Sequence, residues 1–561
     1  DDGDEAIHAE QADRGSDTLL LKNTSQPRLG FRVNKIYIDS YYMDPQTKKY
    51  PEANRELMKQ FNEGMLVFNY IGHNDPEVGF TGEGLFSRYE MDHLTNTRLP
   101  LFITITCDYC QFDAEDVSAG ENVFLNPSAG AIALITTTRV VYTDGNDKIN
   151  QRLMKRLLER DSNGSPLRIG DVLKLAKRDF NTEIDKNKLN YVLIGDPALK
   201  LAYPEHSIQV TRINGNSGEK NIEMIPGKNY TVEGEIRSHQ NELLSDFNGY
   251  IYYNLYDKEK QFTTLAHQDK KTWTYTHRPD LLTTGKGTIQ NGTFRITVAL
   301  PIDNSHSGKS GLLNLYAYDE SGREANGYTD KLIVSTAVEP ITEDIQGPDI
   351  EFAGINDNSF TEGILVNNPA TFVCKFSDPS GIWSGNSLGK QMTLSLDGAC
   401  IEENVARYYK PIAESEIPEG EFIYPLPRLS NGLHTLTFKV FDTLGNSSEV
   451  TIAFEVKENS ETYTISLEEE PATERATISC QDQNGNDVTE SKHTRISVTN
   501  TLGEEIWSYE TTENNPFPLT WNLQDNNGKR VSAGQYYCKG YFETSAGTIV
   551  TPAKKIVVIT Q

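Results

Sequence analysis

Two residues have the chemistry to react and sit where a reaction could be arranged. His73 follows Gly72 at the end of the apolar run LVFNYI, and Cys107 follows Thr106 at the end of the apolar run LFITIT. A cysteine attacks as its thiolate, and an imidazole held beside it can take the thiol proton or stabilise the thiolate as an ion pair. The chemistry on offer is acyl transfer. Cys107 would be the nucleophile and His73 the general acid and base, with backbone N–H groups in the turns after the strands binding the oxyanion. Asn74 and Cys107 are the backbone candidates for that role. Spacing alone is a modest signal, because a histidine after glycine is often a loop residue and a lone cysteine often packs as a small hydrophobe.

Cys110 makes a Cys-x-x-Cys pair with Cys107, which raises a redox reading. A thioredoxin-like pair opens a helix directly after a strand, whereas FDAED, residues 112–116, reads as an acidic loop. Two cysteines cannot complete a zinc site, so no metal centre is assigned here. Asp108, Asp113, Glu115 and Asp116 read as surface charge, with a structural Ca2+ as the only cofactor considered. Asp2 and Asp4, in an acidic opening segment, are candidates for acids near the substrate.

The elements that must hold the pair follow from pattern. Residues 33–38 (VNKIYI), 66–71 (LVFNYI), 101–106 (LFITIT), 131–137 (AIALITT) and 191–194 read as strands. Residues 51–62, 148–160 and 168–180 read as helices, the first with Leu57, Met58 and Phe61 on one face. Continuous apolar strands separated by helices predict a parallel α/β sheet covered on both faces. In such sheets, sites form at the carboxyl ends of the strands, where His73 and Cys107 both fall.

After Pro204 the texture turns to alternation punctuated by Gly, Asn and Asp, as expected of all-β sandwiches. The predicted organisation is an α/β domain over 1–203, a sandwich over 204–337, a linker over 338–348, a second sandwich over 349–457 and a third over 462–561. The chain has 561 residues and a formal net charge of −27, which speaks against nucleic-acid binding through phosphate contacts. It has six cysteines, too few for a disulfide scaffold; Cys374 with Cys400 and Cys480 with Cys538 could each be bridged or remain buried thiols. The acidic opening without an initiator methionine is read as the start of a fragment whose N-terminal part is missing.

The stretch 70–73 (YIGH), followed by 99–107 (LPLFITITC), resembles the catalytic core of gingipain-type cysteine peptidases, family C25. There too a hydrophobic strand ends in a Gly-His pair, and a second strand opening with Leu-Pro ends in the nucleophilic cysteine. Residues 125–127 (LNP) and 195–199 (GDPAL) are similar to later landmarks of that domain. A finer resemblance is to the sortase branch of type IX secretion. It rests on 106–113 (TCDYCQFD), 118–121 (SAGE), 136–142 (TTTRVVY) and the opening Asp2-Gly3-Asp4 with His8 and residues 11–13 (QAD). It continues through 347–350, 377–382 and 432–436 into an FlgD-like immunoglobulin-type ending at 521–537. Two positions depart from the family pattern: Asn74 stands where the family has a glycine, and Phe80 where another aromatic is expected.

The resemblance implies a caspase/gingipain-like catalytic domain followed by immunoglobulin-like sandwiches. It implies a cell-surface, outer-membrane-associated cysteine transpeptidase that removes C-terminal signal domains from secreted cargo and joins the cargo to anionic lipopolysaccharide. The branch works with the outer-membrane barrel PorV and with PorQ and PorZ. The last block, ending at 554–559 (KKIVVI), resembles the export signal domain of that pathway. Three rival readings stay open: a secreted endopeptidase that only hydrolyses, an inactive surface scaffold in which Asn74 marks lost activity, and a redox protein with a reversible Cys107–Cys110 disulfide.

Overall fold

The computed structural model describes residues 6–559 except 23, 25–27, 76–78, 81–84, 180–185, 268–270, 303–307, 336–343, 357–364, 367, 386–388, 403, 413–416, 457–462, 470, 483–485, 487, 489–490, 501–503, 513–515 and 545–546. Asp2, Asp4 and most of the predicted linker lie outside the described residues. The chain divides into two compact units, residues 1–298 with 304–338, and residues 299–303 with 339–561.

The α/β part of the first unit comprises α1 (Ile7–Leu19), α2 (Pro51–Glu63), β1 (Val67–Ile71), β2 (Leu101–Ile105), α3 (Ala119–Phe124), β3 (Ala133–Thr137), α4 (Thr143–Leu157), α5 (Ile169–Arg178) and β4 (Tyr191–Ile194). The four strands form one sheet in chain order. β2 is buried along its whole length, as its unbroken apolar sequence requires. Leu101, Ile103 and Ile105 pack with Ile149 and Leu153 of α4 and Val172 of α5. On the other face, Phe102 packs with Leu57 and Phe61 of α2 and Val123 of α3. Fully burying side chains of this size stabilises by about 1.5–3 kcal/mol each, so β2 is the best-anchored strand of the sheet.

Two expectations are corrected. The sheet is parallel only across β1, β2 and β3; β4 runs antiparallel to β3, with Leu134 opposite Ile194. A single helix returns the chain to the edge it left and makes a parallel crossover, whereas two long helices, α4 and α5, separate β3 from β4. Residues 33–38 are not a strand: 32–37 carry no ladder pairing, and β1 is the edge of the sheet.

The rest of the first unit includes a sheet of eight strands from His206–Ile213 to Glu324–Thr329, which closes on itself through antiparallel pairing of Asn229–Arg237 with His206–Ile213, and separate two-stranded ladders, one of them pairing Lys260–Thr263 with Thr274–His277. The α/β part is fastened to the segment around this last ladder by buried polar contacts. Lys35 Nζ donates to Asp13 Oδ1 at 2.5 Å and to the Thr276 carbonyl at 2.9 Å. The Tyr37 hydroxyl and Trp273 Nε1 also donate to the Asp13 carboxylate, at 3.2 and 3.3 Å. Asp39 accepts from the backbone N–H groups of Ala266 and His267 at 2.5 and 2.9 Å.

The second unit holds two sandwich cores. In one, the sheet containing Thr371–Ser377 faces the sheet containing Gly432–Phe441, around Phe372, Phe422 and Phe438. In the other, Trp521, Cys480 and Cys538 lie in a single core. All six cysteines are free thiols; Cys374 is buried and Cys400 exposed, while burial pushes the thiols of Cys374, Cys480 and Cys538 up to about 12.

Within the first of these sandwiches, Asp378 is 3% exposed, and burial lifts its carboxyl from 3.8 to about 6, with Asp442 and Asp344 adding repulsion. An acid whose pKa is raised on folding favours the folded state while it is protonated. Its contribution is therefore present below pH 3.8 and lost as the pH rises to about 6. Asp378→Asn keeps the acceptor for the Ser380 N–H, which donates to Asp378 Oδ1 at 2.7 Å, and removes the charge. It should stabilise this unit by on the order of 2 kcal/mol at pH 7 and by nothing at pH 3.5. Thermal melts of the two proteins in EDTA across that range check this; an unchanged difference between the two pH values would refute it.

Candidate active site

The register of the two central strands sets the site. β1 and β2 pair in parallel with Ile71 opposite Ile105, so His73 and Cys107 each stand two residues past a paired position, at the same level on adjacent chains. Neighbouring strands lie about 4.8 Å apart, which brings the two turns side by side at the carboxyl edge of the sheet. The pairing extends beyond the strands: the Gly72 N–H donates to the Ile105 carbonyl at 3.4 Å, and Asn74 Nδ2 donates to the Cys107 carbonyl at 3.0 Å. The two backbone candidates for the oxyanion site, Asn74 and Cys107, are thus tied directly to each other.

The histidine turn depends on close packing. The Tyr70 hydroxyl folds back and donates to the His73 carbonyl at 2.7 Å. A Cβ on Gly72 would lie 2.5 Å from that hydroxyl oxygen, so only glycine fits. His73 itself is exposed. Its ring meets the ring of His8 edge-on, with centroids 5.0 Å apart and planes at 86°. His8 is 7% exposed on α1, a helix not anticipated from the sequence.

Asn74 does not need the freedom of the family's glycine. It pairs with Phe80 in a short antiparallel bridge and is not among the residues with positive φ. Its Oδ1 is buried and accepts no hydrogen bond among the described residues. Phe80 anchors the far end of this turn: it is 1% exposed, its ring stacks on Tyr70 at 3.6 Å between centroids, and it stacks on Tyr109 at 5.1 Å.

The cysteine turn is pinned at several points. Cys107 is partly buried, and its Sγ contacts the Val141 carbonyl at 3.4 Å. Asp108 then takes a left-handed conformation, φ 47°, which turns the chain sharply away from the strand. Burial holds the Asp108 carboxyl above its ordinary range, with Arg139 pulling it back. Tyr109 is fully buried. The Cys110 N–H donates to the Thr137 carbonyl at 3.0 Å, and the Cys110 side chain packs against Gly120 of α3. Burial pushes the Cys110 thiol up to about 11, with a hydrogen bond involving Ser118 opposing, and Cys110 packs as a buried side chain.

Of the loop acids, Asp113 accepts from Arg139 Nη1 and Nη2 at 3.0 and 2.6 Å. Among the described residues, the carboxylates that could jointly hold a cation are Asp344, Asp378 and Asp442, whose oxygens lie within 4.8 Å of one another in the second unit.

Residues 1–202 match the profile of peptidase family C25. Among solved structures, the chain is similar to dimeric latent PorU from Porphyromonas gingivalis, at 24% identity over 77% of this chain and 41% of that one, TM-score 0.33. It is similar to the complex of the RgpB pro- and mature domains from the same organism, at 16% identity over 50% and 57% of the two chains, TM-score 0.25. It is also similar to the Ig1-2 module of the Drosophila receptor protein tyrosine phosphatase DLAR, at 11% identity over 38% and 98%, TM-score 0.22. No curated protein matches the chain significantly. The chain therefore spans less than half of the PorU chain it resembles, and its front 202 residues are the part that matches the C25 peptidase family.

The Gly72 clash yields a direct test. Gly72→Ala should displace the His73 turn and lower kcat/KM by about a hundredfold, the loss typical of misplacing a catalytic group by about 1 Å. The circular dichroism spectrum should not change, because β1 and β2 pair independently of that turn. Retention of full activity would show that the Tyr70 clamp does not position His73.

Proposed function

We propose that this protein is a cell-surface cysteine transpeptidase of the type IX secretion sortase class. In this reading it cleaves C-terminal signal domains from secreted cargo and attaches the cargo to anionic lipopolysaccharide at the outer membrane. The observation that carries the peptidase part is the level placement of His73 and Cys107 on two adjacent parallel strands, inside a C25-family domain. The transpeptidase part rests on the motifs around Cys107 and on the sandwich landmarks downstream.

The residues present suffice for the chemistry. Cys107 loses its proton to His73, and Sγ bonds to the carbonyl carbon that precedes the signal domain. N–H groups at Asn74 and Cys107 hold the oxyanion. The C–N bond breaks as His73 returns the proton to the departing amine, leaving a thioester. An incoming sugar-linked amine attacks the thioester and gives its proton to His73, and Cys107 is released. Water in place of the amine gives hydrolysis by the same steps. Partners in this reading are the cargo signal domains, the barrel PorV, PorQ and PorZ, with the sandwiches as docking surfaces.

Cys107→Ala should abolish signal-domain removal from a secreted cargo, while Cys110→Ala, which replaces a buried packing residue, should keep most of it. In the presence of a competing amine, the new cargo C-terminus should be heavier than the hydrolysed product by the mass of the amine less one water. Loss of cleavage with Cys110→Ala alone would overturn the choice of nucleophile. A purely hydrolysed product at saturating amine would make the protein an endopeptidase.

A further inference from the structure

The sheet of eight strands turns one face to its own core and the other outward. In the strand Gly249–Tyr256, Ile251, Tyr253 and Leu255 are buried. The residues between them point the opposite way, because successive side chains of a strand alternate. The register then sets outward residues of neighbouring strands side by side. Between Gly249–Tyr256 and Leu312–Asp319, Tyr250 stands opposite Tyr318, Tyr252 opposite Tyr316 and Asn254 opposite Asn314. On one flank Lys286 pairs with Tyr252 and Thr288 with Tyr250. On the other, Asn326 pairs with Tyr316 and Glu324 with Tyr318.

The four tyrosines form one group. Ring centroids are 5.8 Å apart for Tyr250 and Tyr318, 6.0 Å for Tyr252 and Tyr318, and 6.4 Å for Tyr316 and Tyr318. Tyr316 is 38% exposed and the other three are partly buried. Cross-strand aromatic pairs stabilise a sheet on their own. What sets this face apart is its surround: amides, hydroxyls, one carboxylate and one ammonium stand at the paired positions, and no aliphatic side chain does.

That mixture selects the kind of ligand. A protein partner is gripped by an apolar core inside a polar rim. A sugar ring instead carries C–H groups on its faces and hydroxyls around its edge. Its face lies on an aromatic ring while its hydroxyls reach donors and acceptors such as the Asn and Thr side chains here. Charge narrows the choice further. Lys286 Nζ lies 4.0 Å from the centroid of the Tyr250 ring and 5.3 Å from that of Tyr252. Arg98 of the α/β part is near enough for its charge to act on the Tyr316 hydroxyl. The carboxylate at these positions, Glu324, already accepts from the Tyr316 hydroxyl at 2.6 Å. On a chain of net charge −27, a face with two cations and one engaged carboxylate complements an acidic ligand.

We propose that this tyrosine face binds a polymer of acidic sugars, whose rings stack on Tyr252, Tyr316 and Tyr318 and whose anionic groups meet Lys286. That the polymer is the acceptor of the transfer reaction rests on the function proposed above; the binding itself does not.

Affinity electrophoresis of the full chain tests this, in native gels cast with alginate, a polyuronate, or with neutral dextran. Alginate should retard the parent chain and Cys107→Ala equally, and dextran should retard both less. Tyr252→Thr combined with Tyr316→Thr keeps β-favouring residues in both strands. It should weaken alginate binding at least about tenfold, the loss expected when anchoring aromatics are truncated. Tyr252→Phe combined with Tyr316→Phe keeps both rings and should bind within about twofold of the parent. Lys286→Gln should abolish the preference for alginate over dextran. Absence of retardation of the parent chain by alginate, equal retardation of the Thr pair, or an unchanged preference in Lys286→Gln would overturn the proposal. So would a dimer that the Thr pair abolishes in a chain that alginate does not retard, which would assign the face to a second copy. Retardation by a chain that never joins an amine to cargo would leave the sugar face in place and remove the acceptor reading.

Discussion

Everything proposed for the catalytic site depends on one constraint, the parallel register that sets Ile71 opposite Ile105. The side-chain period of a strand is two, so a slip of one residue would turn every side chain of β1 to the opposite helical layer. The layers differ enough to forbid this. On one face Val67 and Ile71 join the cluster built on Ile149 and Leu153, and on the other Phe68 and Tyr70 join an aromatic cluster with Phe61, Phe80 and Phe102. Phe68 and Phe102 lie 4.8 Å apart between ring centroids, a contact that cannot be exchanged for an aliphatic one without leaving a void. The core thus fixes the register, and the register fixes the level of His73 with Cys107.

Turns beyond strand ends are usually the loosest parts of an α/β domain, yet here both are tied down close to His73 and Cys107. Tyr70 is the shared element: its hydroxyl holds the His73 carbonyl, and its ring stacks on Phe80, which in turn stacks on Tyr109 of the cysteine turn. A single aromatic column therefore links the segments on either side of the site. The Asn74–Cys107 hydrogen bond closes the same circuit at its outer end. Pre-positioning of this kind is what an acyl-transfer site requires, because the oxyanion donors must be in place before charge develops.

The sequence made the four strands of the sheet and the helices α2, α4 and α5 legible because their burial is apolar. β2 reads as an unbroken apolar run and is buried on both faces. α1 was not legible for the opposite reason: its buried residues are His8, Gln11, Asp13, Gly15 and Ser16, so its inward face is polar and shows no apolar period. His8 was visible only as a landmark and acquired a role only when its ring was found against His73. Residues 33–38 show the converse case, strand texture with no strand formed, since pairing is a property of neighbours rather than of a segment. The antiparallel β4 was hidden for a similar reason: direction is set by how many helices intervene, which composition does not report.

The polar face of α1 also ties the α/β part to the ladder of Lys260–Thr263 with Thr274–His277 inside the same compact unit. Asp13 sits where α1, residues 35–37 and the segment 273–276 converge, and its carboxylate takes three donors. The Lys35 side chain is only 4% exposed and has a second acceptor in the Thr276 carbonyl. A buried ion pair contributes little net stability, because desolvation offsets the Coulomb attraction, but removing one partner strands the other at about 3–5 kcal/mol. Such a pair selects one geometry over its alternatives rather than deepening the well. The geometry selected is the placement of α1, and α1 carries the ring that flanks His73. The segment 273–276 thus supplies partners to Asp13 and Lys35, the residues that hold α1 in place.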